Sequence, residues 1–203
     1  TRTHMNSCDF SLSNYSYSPV EGDKNLKHFS VKEDMDDIIP MIKEAQKVSK
    51  DGFKIFASPW TAVPWMKDNN DWRGGKLLPE YYDTWALFFS KYADAYKAQG
   101  IDIWGFTVEN EPHGNNSSWE SMHYSPEEMT NFVKNFLGPQ LEKDGKGDLV
   151  ILGYDQNLSL IHISEPTRRT PISYAVFCLK KRQLPAAVGA AGVRRGHAGA
   201  STR

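Results

Sequence analysis

The stretch from Ile101 to Gly114, IDIWGFTVENEPHG, joins an apolar run to two closely spaced glutamates. Residues 101–108 are rich in branched and aromatic side chains, which predicts a buried β-strand leading into Glu109 and Glu111. Because side chains alternate along a strand, the two carboxyl groups would share one face, and alternation does not choose between them. Pro112 ends regular pairing and predicts extended geometry for the residue before it, which favours Glu111 as the carboxyl group at the strand's end.

Three more strands and three helices are predicted around this stretch. The runs 5–10, 53–57 and 149–152 are taken as strands, the last two being short apolar runs typical of a buried sheet. Helix starts are predicted at two capping boxes, Ser30 to Glu33 (SVKE) and Ser125 to Glu128 (SPEE), and at Pro79. Strands alternating with helices indicate a parallel sheet with covering helices, an α/β fold.

Apolar residues at helical spacing predict one packed face for each helix. The three faces are Met35, Ile38, Ile39, Ile42, Ala45 and Val48; Tyr82, Trp85, Phe88, Phe89, Tyr92 and Tyr96; and Met129, Phe132, Val133, Phe136 and Leu137. Gly100 supplies the left-handed residue that ends the second helix. The simplest role for the aromatic set is core packing.

Polar residues lie near the end of each predicted strand or just after it. They are Asp9, the segment Ser58 to Trp60, the pair Asn110 and Glu111, and Asp155. Reactive groups of parallel α/β folds gather at the carboxyl ends of the strands, so we expect these residues to meet at one edge of the sheet. A closed barrel of eight strand–helix units takes about 250 residues. The acidic part of this chain corresponds to about half of one.

Glu111 has the surroundings of a general acid. A carboxyl group close to aromatic walls and partly removed from water has the raised pKa that proton donation near neutral pH requires. Asn110 carries both an amide donor and an acceptor, which suits a sugar hydroxyl. For an isolated Asn-Glu-Pro, a solvated turn is an equally good interpretation.

Bulk composition excludes several classes of protein. The 203 residues are 39% hydrophobic with a formal net charge of −1, as in ordinary globular proteins. No apolar run approaches the roughly 18 residues of a membrane-spanning helix, and no leader segment is recognisable at the start. Cys8 and Cys178 are too few for a disulfide framework. The histidines show no metal-ligand spacing, so neither a metal nor a cofactor is expected.

The charge is unevenly distributed along the chain. From Leu158 onward Glu165 is the only acidic residue, whereas basic residues are frequent: Arg168, Arg169, Lys180, Lys181, Arg182, Arg194, Arg195 and Arg203. The part before Leu158 is correspondingly acidic. Two unlike pieces are therefore predicted, 1–157 and 158–203.

Several motifs, in order, carry a resemblance to a known family. They are SCDFSLSNYSY, ASPWTAVPWMK, FTVENEP, FLGP and DQN, beginning at Ser7, Ala57, Phe106, Phe136 and Asp155. In this order they resemble the glucosylceramidase branch of glycoside hydrolase family 30, over essentially all of residues 1–157. The resemblance implies a partial (β/α)8 TIM barrel holding about strands 2 to 5, and hydrolysis of a β-glycosidic bond with retention of configuration.

The same resemblance implies roles for individual residues. Glu111, in the Asn-Glu-Pro motif, would be the acid/base, with Glu109 as a supporting residue. Asn110 would hold the sugar's 2-hydroxyl, and Asp9 and Trp60 would bind the glucosyl unit. Two further assignments are Arg2, which matches a family arginine near the pocket, and Trp119, on the aglycone side. The loop 114–124 departs from the glucosylceramidase pattern, which leaves the natural leaving group open.

The catalytic partner of Glu111 is expected outside this chain. In the family the nucleophile is a glutamate at the end of the seventh strand, and Glu165 comes too early in the barrel order. The segment Leu158 to Arg168 (LSLIHISEPTR) resembles a translated transposase-type sequencing adapter, and Ile172 to Leu179 resembles the adapter's later constant segment. We therefore expect 158–203 to be a non-native, disordered tail. The alternative is a basic arm that binds nucleic acid or anionic lipid.

The parent protein is therefore expected to be a glucosylceramidase-like β-glycosidase, with a β-glucoside or glucosylceramide-type substrate and no nucleic-acid partner. Another β-glycanase of the family or clan, such as a β-1,6-glucanase or a xylanase, is the alternative enzyme. A non-catalytic sugar-binding fragment is the alternative outside enzymes. By resemblance the parent protein would be secreted, periplasmic or lysosomal.

Overall fold

The computed structural model describes residues 1–113, 118–153 and 155, and these form strand–helix units around one sheet. Its strands are β1 (Arg2–Met5), β2 (Ile55–Pro59), β3 (Ile103–Thr107) and β4 (Val150–Leu152). They lie in the order β1-β2-β3-β4, and every pair is parallel. The predicted α/β fold is confirmed, with neighbouring strands consecutive in sequence as in a (β/α)8 barrel.

Helices connect successive strands. They are α1 (Ile38–Val48) before β2, α2 (Tyr82–Ala98) before β3, and α3 (Pro126–Phe132) and α4 (Gly138–Lys143) before β4. A π-helical turn, Val133–Leu137, joins α3 to α4, and 3₁₀ turns occupy Lys32–Met35, Pro64–Met66 and Pro79–Tyr81. In the described residues no helix is long and apolar enough to cross a membrane. The predicted tail, 158–203, lies outside them.

The first strand begins earlier than the sequence predicted. Arg2–Met5 pairs with β2, with Arg2 opposite Phe56 and Met5 opposite Pro59. The expectation of a strand at 5–10 was wrong, because Asn6 adopts a left-handed backbone with φ 61° and turns the chain away from the sheet. Residues 7–10, including Asp9, therefore belong to the loop that follows β1.

The start of α1 also differs from the prediction. The helix begins at Ile38, whose amide donates to the Asp37 carboxylate at 2.5 Å, and the capping box expected at Ser30 is absent there. The Ser30 hydroxyl instead accepts from the Lys32 amide at 3.2 Å, ahead of a separate 3₁₀ turn. Ile39 and Ile42 are buried as expected, whereas Met35 and Val48 remain 41% and 80% exposed.

The aromatic face of α2 forms the core, as predicted. All six aromatic side chains are buried, and Gly100 has the expected left-handed φ of 79°. Phe89 packs edge-to-face on Phe106 of β3, with ring centroids 5.1 Å apart. Across the next strand pair, a Cβ on Gly105 would lie 2.5 Å from the carbonyl oxygen of Val150, so only glycine allows β3 and β4 to approach this closely.

The capping box at the start of α3 is confirmed. The Ser125 hydroxyl accepts from the Glu128 amide at 3.2 Å, and the Glu128 carboxylate accepts from the Ser125 amide at 2.8 Å. Met129, Phe132 and Leu137 are buried, so this side of the helix faces the core.

A buried carboxylate ties the loop after β1 to the core. The hydroxyls of Tyr15, Tyr17 and Tyr96 donate to Asp34 at 3.0, 2.6 and 2.6 Å, and Asp34 is completely buried. Desolvation raises the pKa of Asp34, and the three hydroxyl donors oppose that change. Since Tyr15 and Tyr17 belong to the loop that carries Asp9, this network limits how far that loop can move.

The outer edges of the described sheet predict self-association of the 203-residue chain. Within the described residues β1 and β4 each pair on one side only. Met41 and Phe53, which line a cavity with β1, are 65% and 37% exposed, and Val48 at the end of α1 is 80% exposed. Unpaired strand edges and exposed apolar faces promote association. We expect sedimentation velocity at micromolar concentration to show oligomers. A monodisperse monomer with cooperative unfolding would contradict this prediction.

Candidate active site

The guanidinium group of Arg2 connects the ends of the strands. It donates to the Asn110 side-chain oxygen at 2.5 Å and to the Asp155 carboxylate at 3.3 Å, and it lies 4.5 Å from the centroid of the Trp60 ring. These partners follow β3, β4 and β2, respectively. The structure therefore brings Arg2, Trp60 and Asn110 together, as expected. The Arg2 guanidinium group contacts an amide, a carboxylate and an aromatic ring.

Backbone hydrogen bonds hold the segment after β3 in place. The Asn110 amide donates to the Pro59 carbonyl at 2.7 Å, and the Glu111 amide donates to the Asp155 carbonyl at 2.7 Å. The Ser58 hydroxyl also donates to the Asp155 carboxylate at 3.3 Å. The segment bearing Glu111 is therefore bonded to the last residue of β2 and to the segment after β4.

The backbone of Glu111 is left-handed, with φ 48°. The prediction of extended geometry before Pro112 was wrong, because the hydrogen bond from the Glu111 amide to Asp155 accompanies a sharp turn. A non-glycine residue in this region stores roughly 1–3 kcal/mol, which surrounding contacts must offset. Such residues are frequent at functional sites.

The electrostatic surroundings of Glu111 suit a proton donor. Desolvation is the main cause of its raised pKa, and the negative charges of Asp155 and Asp9 raise the pKa further, while Arg2 opposes the change. The side chain is only partly buried, so a substrate can reach it. A carboxyl group that keeps its proton to higher pH and stays accessible can act as a general acid.

Glu109 has a different environment, although it is only two residues away. It is 1% exposed, and neither carboxyl oxygen has a hydrogen-bond partner in the part of the chain that the structure describes. Desolvation raises the pKa of Glu109 well above the usual value, and the positive charge of Lys67 acts in the opposite direction. The alternation of side chains along a strand did not distinguish the two glutamates. Their burial does, because Glu109 is buried and Glu111 is accessible.

Asp9 and Trp119 lie together at a cleft whose lining does not include Glu111. They border a cleft of about 540 Å³ with Arg73 and with polar residues of the loops after β1 and β3. The Asn14 amide donates to the Glu120 carboxylate at 2.6 Å and connects those two loops. Asp9 is exposed, and its charge contributes to the raised pKa of Glu111.

Asp155 makes more contacts at the site than the sequence alone indicated. The signals in the sequence were its position after the last predicted strand and the DQN motif that it begins, whereas the structure shows it bonded to Arg2, Ser58 and the Glu111 amide. Within the described residues, no group of three or more His, Cys, Asp or Glu side chains is arranged to hold a metal ion. The chemistry available here comes from carboxyl, amide, guanidinium and aromatic groups.

The fold and the site define a class: a parallel α/β enzyme fold whose strand ends carry carboxyl groups. A family model described as the glycosyl hydrolase family 30 TIM-barrel domain matches residues 1–166. The chain belongs to glycosyl hydrolase family 30.

Comparisons with individual proteins agree with this assignment. The chain is 34% identical to the lysosomal acid glucosylceramidase of Mus musculus over 179 residues, covering 84% of this chain and 35% of that protein. Among solved structures, SrfJ from Salmonella typhimurium is 37% identical with a TM-score of 0.71, covering 76% of this chain and 34% of that one. The endo-beta1,6-glucanase BT3312 is 36% identical with a TM-score of 0.70, covering 77% and 35%. The chain thus spans about a third of these relatives and includes only part of the barrel.

Replacing the buried carboxyl group should change how stability depends on pH. Because the folded-state pKa of Glu109 is raised, the folded protein keeps a proton that the unfolded chain loses above about pH 4.5. Stability is therefore lost as pH rises from there toward the folded-state pKa, by up to about 1.4 kcal/mol per pH unit. We expect Glu109→Gln, in a protein with the complete barrel, to remove this loss.

Urea unfolding at pH 5 and pH 8 measures the difference. Glu127→Gln is the matched control, since Glu127 is an exposed glutamate in the first turn of α3. Equal pH slopes for wild type and Glu109→Gln would show that Glu109 is not held protonated by burial.

Proposed function

We propose that the protein carrying this chain is a retaining β-glycoside hydrolase resembling glucosylceramidase, with Glu111 as its general acid/base. The observation that carries the proposal is the position of Glu111: accessible, raised in pKa by desolvation and by neighbouring carboxylates, and bonded through its amide to Asp155. The family relationship supports a glycoside as the substrate.

In the first step, Glu111 would give its proton to the oxygen of the leaving group as the bond to the anomeric carbon breaks. In the second step, its carboxylate would accept a proton from the water that releases the sugar. The raised pKa favours the protonated form that the first step needs. Desolvation, the first cause of that raised pKa, persists when a substrate fills the site.

The neighbours of Glu111 are suited to holding a glucosyl unit. The Asn110 side-chain oxygen accepts from Arg2, so its amide group is left to donate toward a sugar's 2-hydroxyl. Trp60 offers a ring face as a wall for the sugar, with its orientation supported by the Arg2 guanidinium at 4.5 Å. Asp9, exposed on the loop after β1, is placed to accept hydrogen bonds from sugar hydroxyls.

The proposed mechanism needs a second carboxyl group. Retention uses a nucleophile roughly 5–5.5 Å from the acid/base, which forms a covalent glycosyl-enzyme. We assign that role to a glutamate of a later barrel strand that this chain does not contain, and we predict that the 203-residue chain is inactive. Turnover of any β-glucoside by the 203-residue chain alone would contradict this assignment.

A second candidate activity, endo-β-1,6-glucanase, has a specific observation in its favour. The solved endo-beta1,6-glucanase BT3312 is about as similar to this chain as the mouse glucosylceramidase is. Comparing hydrolysis of glucosylceramide, β-1,6-glucan and xylan by the barrel-complete protein separates these substrates.

By analogy with the lysosomal relative, we propose a secreted or lysosomal location for the parent protein.

The leaving group should determine how strongly Glu111→Gln reduces activity. Glutamine cannot donate the proton, so we expect kcat/KM to fall by about a hundredfold or more for glucosides with poor leaving groups. Activated aryl glucosides need little protonation and should lose far less. Steady-state kinetics with a series of aryl glucosides of graded leaving-group pKa measures the effect. Glu127→Gln, on the exposed surface of α3, is the matched control; equal losses across the series would exclude Glu111 as the acid.

A further inference from the structure

Lys67 is a buried lysine whose three ammonium protons all bond to neutral oxygens. Its side chain donates to the Thr61 hydroxyl at 2.8 Å, the Asp71 carbonyl at 2.7 Å and the Ser121 carbonyl at 3.0 Å. Lys67 is only 3% exposed, and desolvation lowers its pKa to about 8. It is therefore still mainly charged at neutral pH, in a place where burying a charge is costly unless its donors are satisfied.

These bonds join two different loops of the site. Thr61 directly follows Trp60 in the loop after β2, and Ser121 lies two residues beyond Trp119 in the loop after β3. The Thr61 side chain is fully buried, and Ser121 is 3% exposed. A single side chain thus connects the loop bearing the predicted sugar wall to the loop bearing the predicted aglycone wall.

Further hydrogen bonds extend the same connection. The Ser121 amide donates to the Trp72 carbonyl at 3.1 Å, the Gly74 amide donates to the Ser121 hydroxyl at 3.0 Å, and the His123 amide donates to the Gly75 carbonyl at 2.9 Å. Segments 72–75 and 121–123 therefore run side by side, with the Lys67 ammonium group bonded to both loops. Neutral hydrogen bonds thus join the two segments, and the Lys67 ammonium group adds a bond from a buried charge.

The positive charge of Lys67 also lowers the pKa of Glu109, against the effect of burial. Ionised Glu109 would raise the pKa of Lys67, opposing the effect of desolvation. Glu109 precedes Asn110 and Glu111 directly. Lys67 therefore acts electrostatically on this buried glutamate, while its hydrogen bonds join its own loop, after β2, to the loop after β3.

We propose that Lys67 is a positioning residue of the glycosidase site, which clamps the loop after β2 to the loop after β3 and so holds Trp60 and Glu111 in their working arrangement. This inference rests on the proposed function, because it assigns Lys67 a part in the same reaction. Lys67 does not touch the substrate. It acts through Thr61 and Ser121.

Four variants of the barrel-complete protein test the clamp. Lys67→Met keeps the length and the apolar stem but removes the donors, and Thr61→Val removes one acceptor at nearly constant shape. Thr61→Ser retains the hydroxyl and is the conservative rescue. Lys50→Met is the matched control, since Lys50 is an exposed lysine just beyond α1. Activity is normalised to active-site titration, so that loss of folded protein is not counted as loss of catalysis.

We expect Lys67→Met to lower normalised kcat/KM by about tenfold to a hundredfold, the size of effect that a small misplacement of reacting groups causes. Thr61→Val should lower it less, Thr61→Ser should stay near wild type, and Lys67→Met with Thr61→Val should be less than additive. Activated aryl glucosides should lose activity as well, unlike in Glu111→Gln, because the placement of the sugar against Trp60 changes in addition to the placement of the acid. Lys50→Met should leave kcat and KM unchanged.

Hydrogen exchange measured by mass spectrometry gives a second, activity-independent result. In Lys67→Met we expect faster exchange in segments 71–75 and 121–123 and unchanged exchange in α2. If the Lys67 variant does not fold, the Thr61→Val and Thr61→Ser pair tests the same clamp. A normalised kcat/KM equal to wild type in Lys67→Met and Thr61→Val would overturn the clamp, and so would unchanged exchange in these segments.

The two proposals fail in different ways. If Glu111→Gln shows its leaving-group dependence but Lys67→Met keeps full normalised activity, only the Lys67 proposal is overturned. If the barrel-complete protein hydrolyses no β-glucoside, the proposed function is overturned, and the positioning role of Lys67 with it.

Discussion

The parallel pairing of β1, β2, β3 and β4 is the constraint on which the site depends. Parallel strands joined by helical crossovers end at the same edge of the sheet, so segments distant in sequence are brought side by side. The backbone bonds of Asn110 to Pro59 and of Glu111 to Asp155 then continue the sheet's connections beyond the strands themselves. A shift of one residue in the register would move Arg2 away from Asn110, Asp155 and Trp60 together.

Buried polar groups hold the loops at this edge of the sheet in place. Asp34 accepts from three tyrosine hydroxyls and anchors the loop after β1, while Lys67 donates to three oxygens and joins the loops after β2 and β3. Each of these hydrogen bonds restricts the orientation of its donor and acceptor, whereas apolar contacts do not. Removing one partner leaves others unpaired in a poorly hydrated interior, so these networks favour one loop arrangement over its alternatives.

Several predictions that succeeded rest on local signals, although the local capping box expected at Ser30 failed, and two other failures depend on distant contacts. The aromatic spacing of α2 and the capping box at Ser125 determine their structures within a few residues, and both are confirmed. The strand at Arg2–Met5 has no comparable local signal, since its polar residues become strand only by pairing with β2. Glu111 was expected to be extended, but its bond to Asp155 accompanies a left-handed backbone.

The sequence by itself determined the α/β alternation, the core face of α2 and the family resemblance, and it predicted Arg2, Trp60, Asn110 and Glu111 as candidate site residues. Local spacing and motif order carry that information, because each is contained in a short segment. Only the tertiary structure decided that Glu109 is buried while Glu111 stays accessible. It also decided that Asp155 is a hydrogen-bond partner of Arg2 and that Lys67, in the loop after β2, bonds to the loop after β3. Burial and hydrogen-bond partners are set by segments far away in the chain, so they exist only once the sheet has formed.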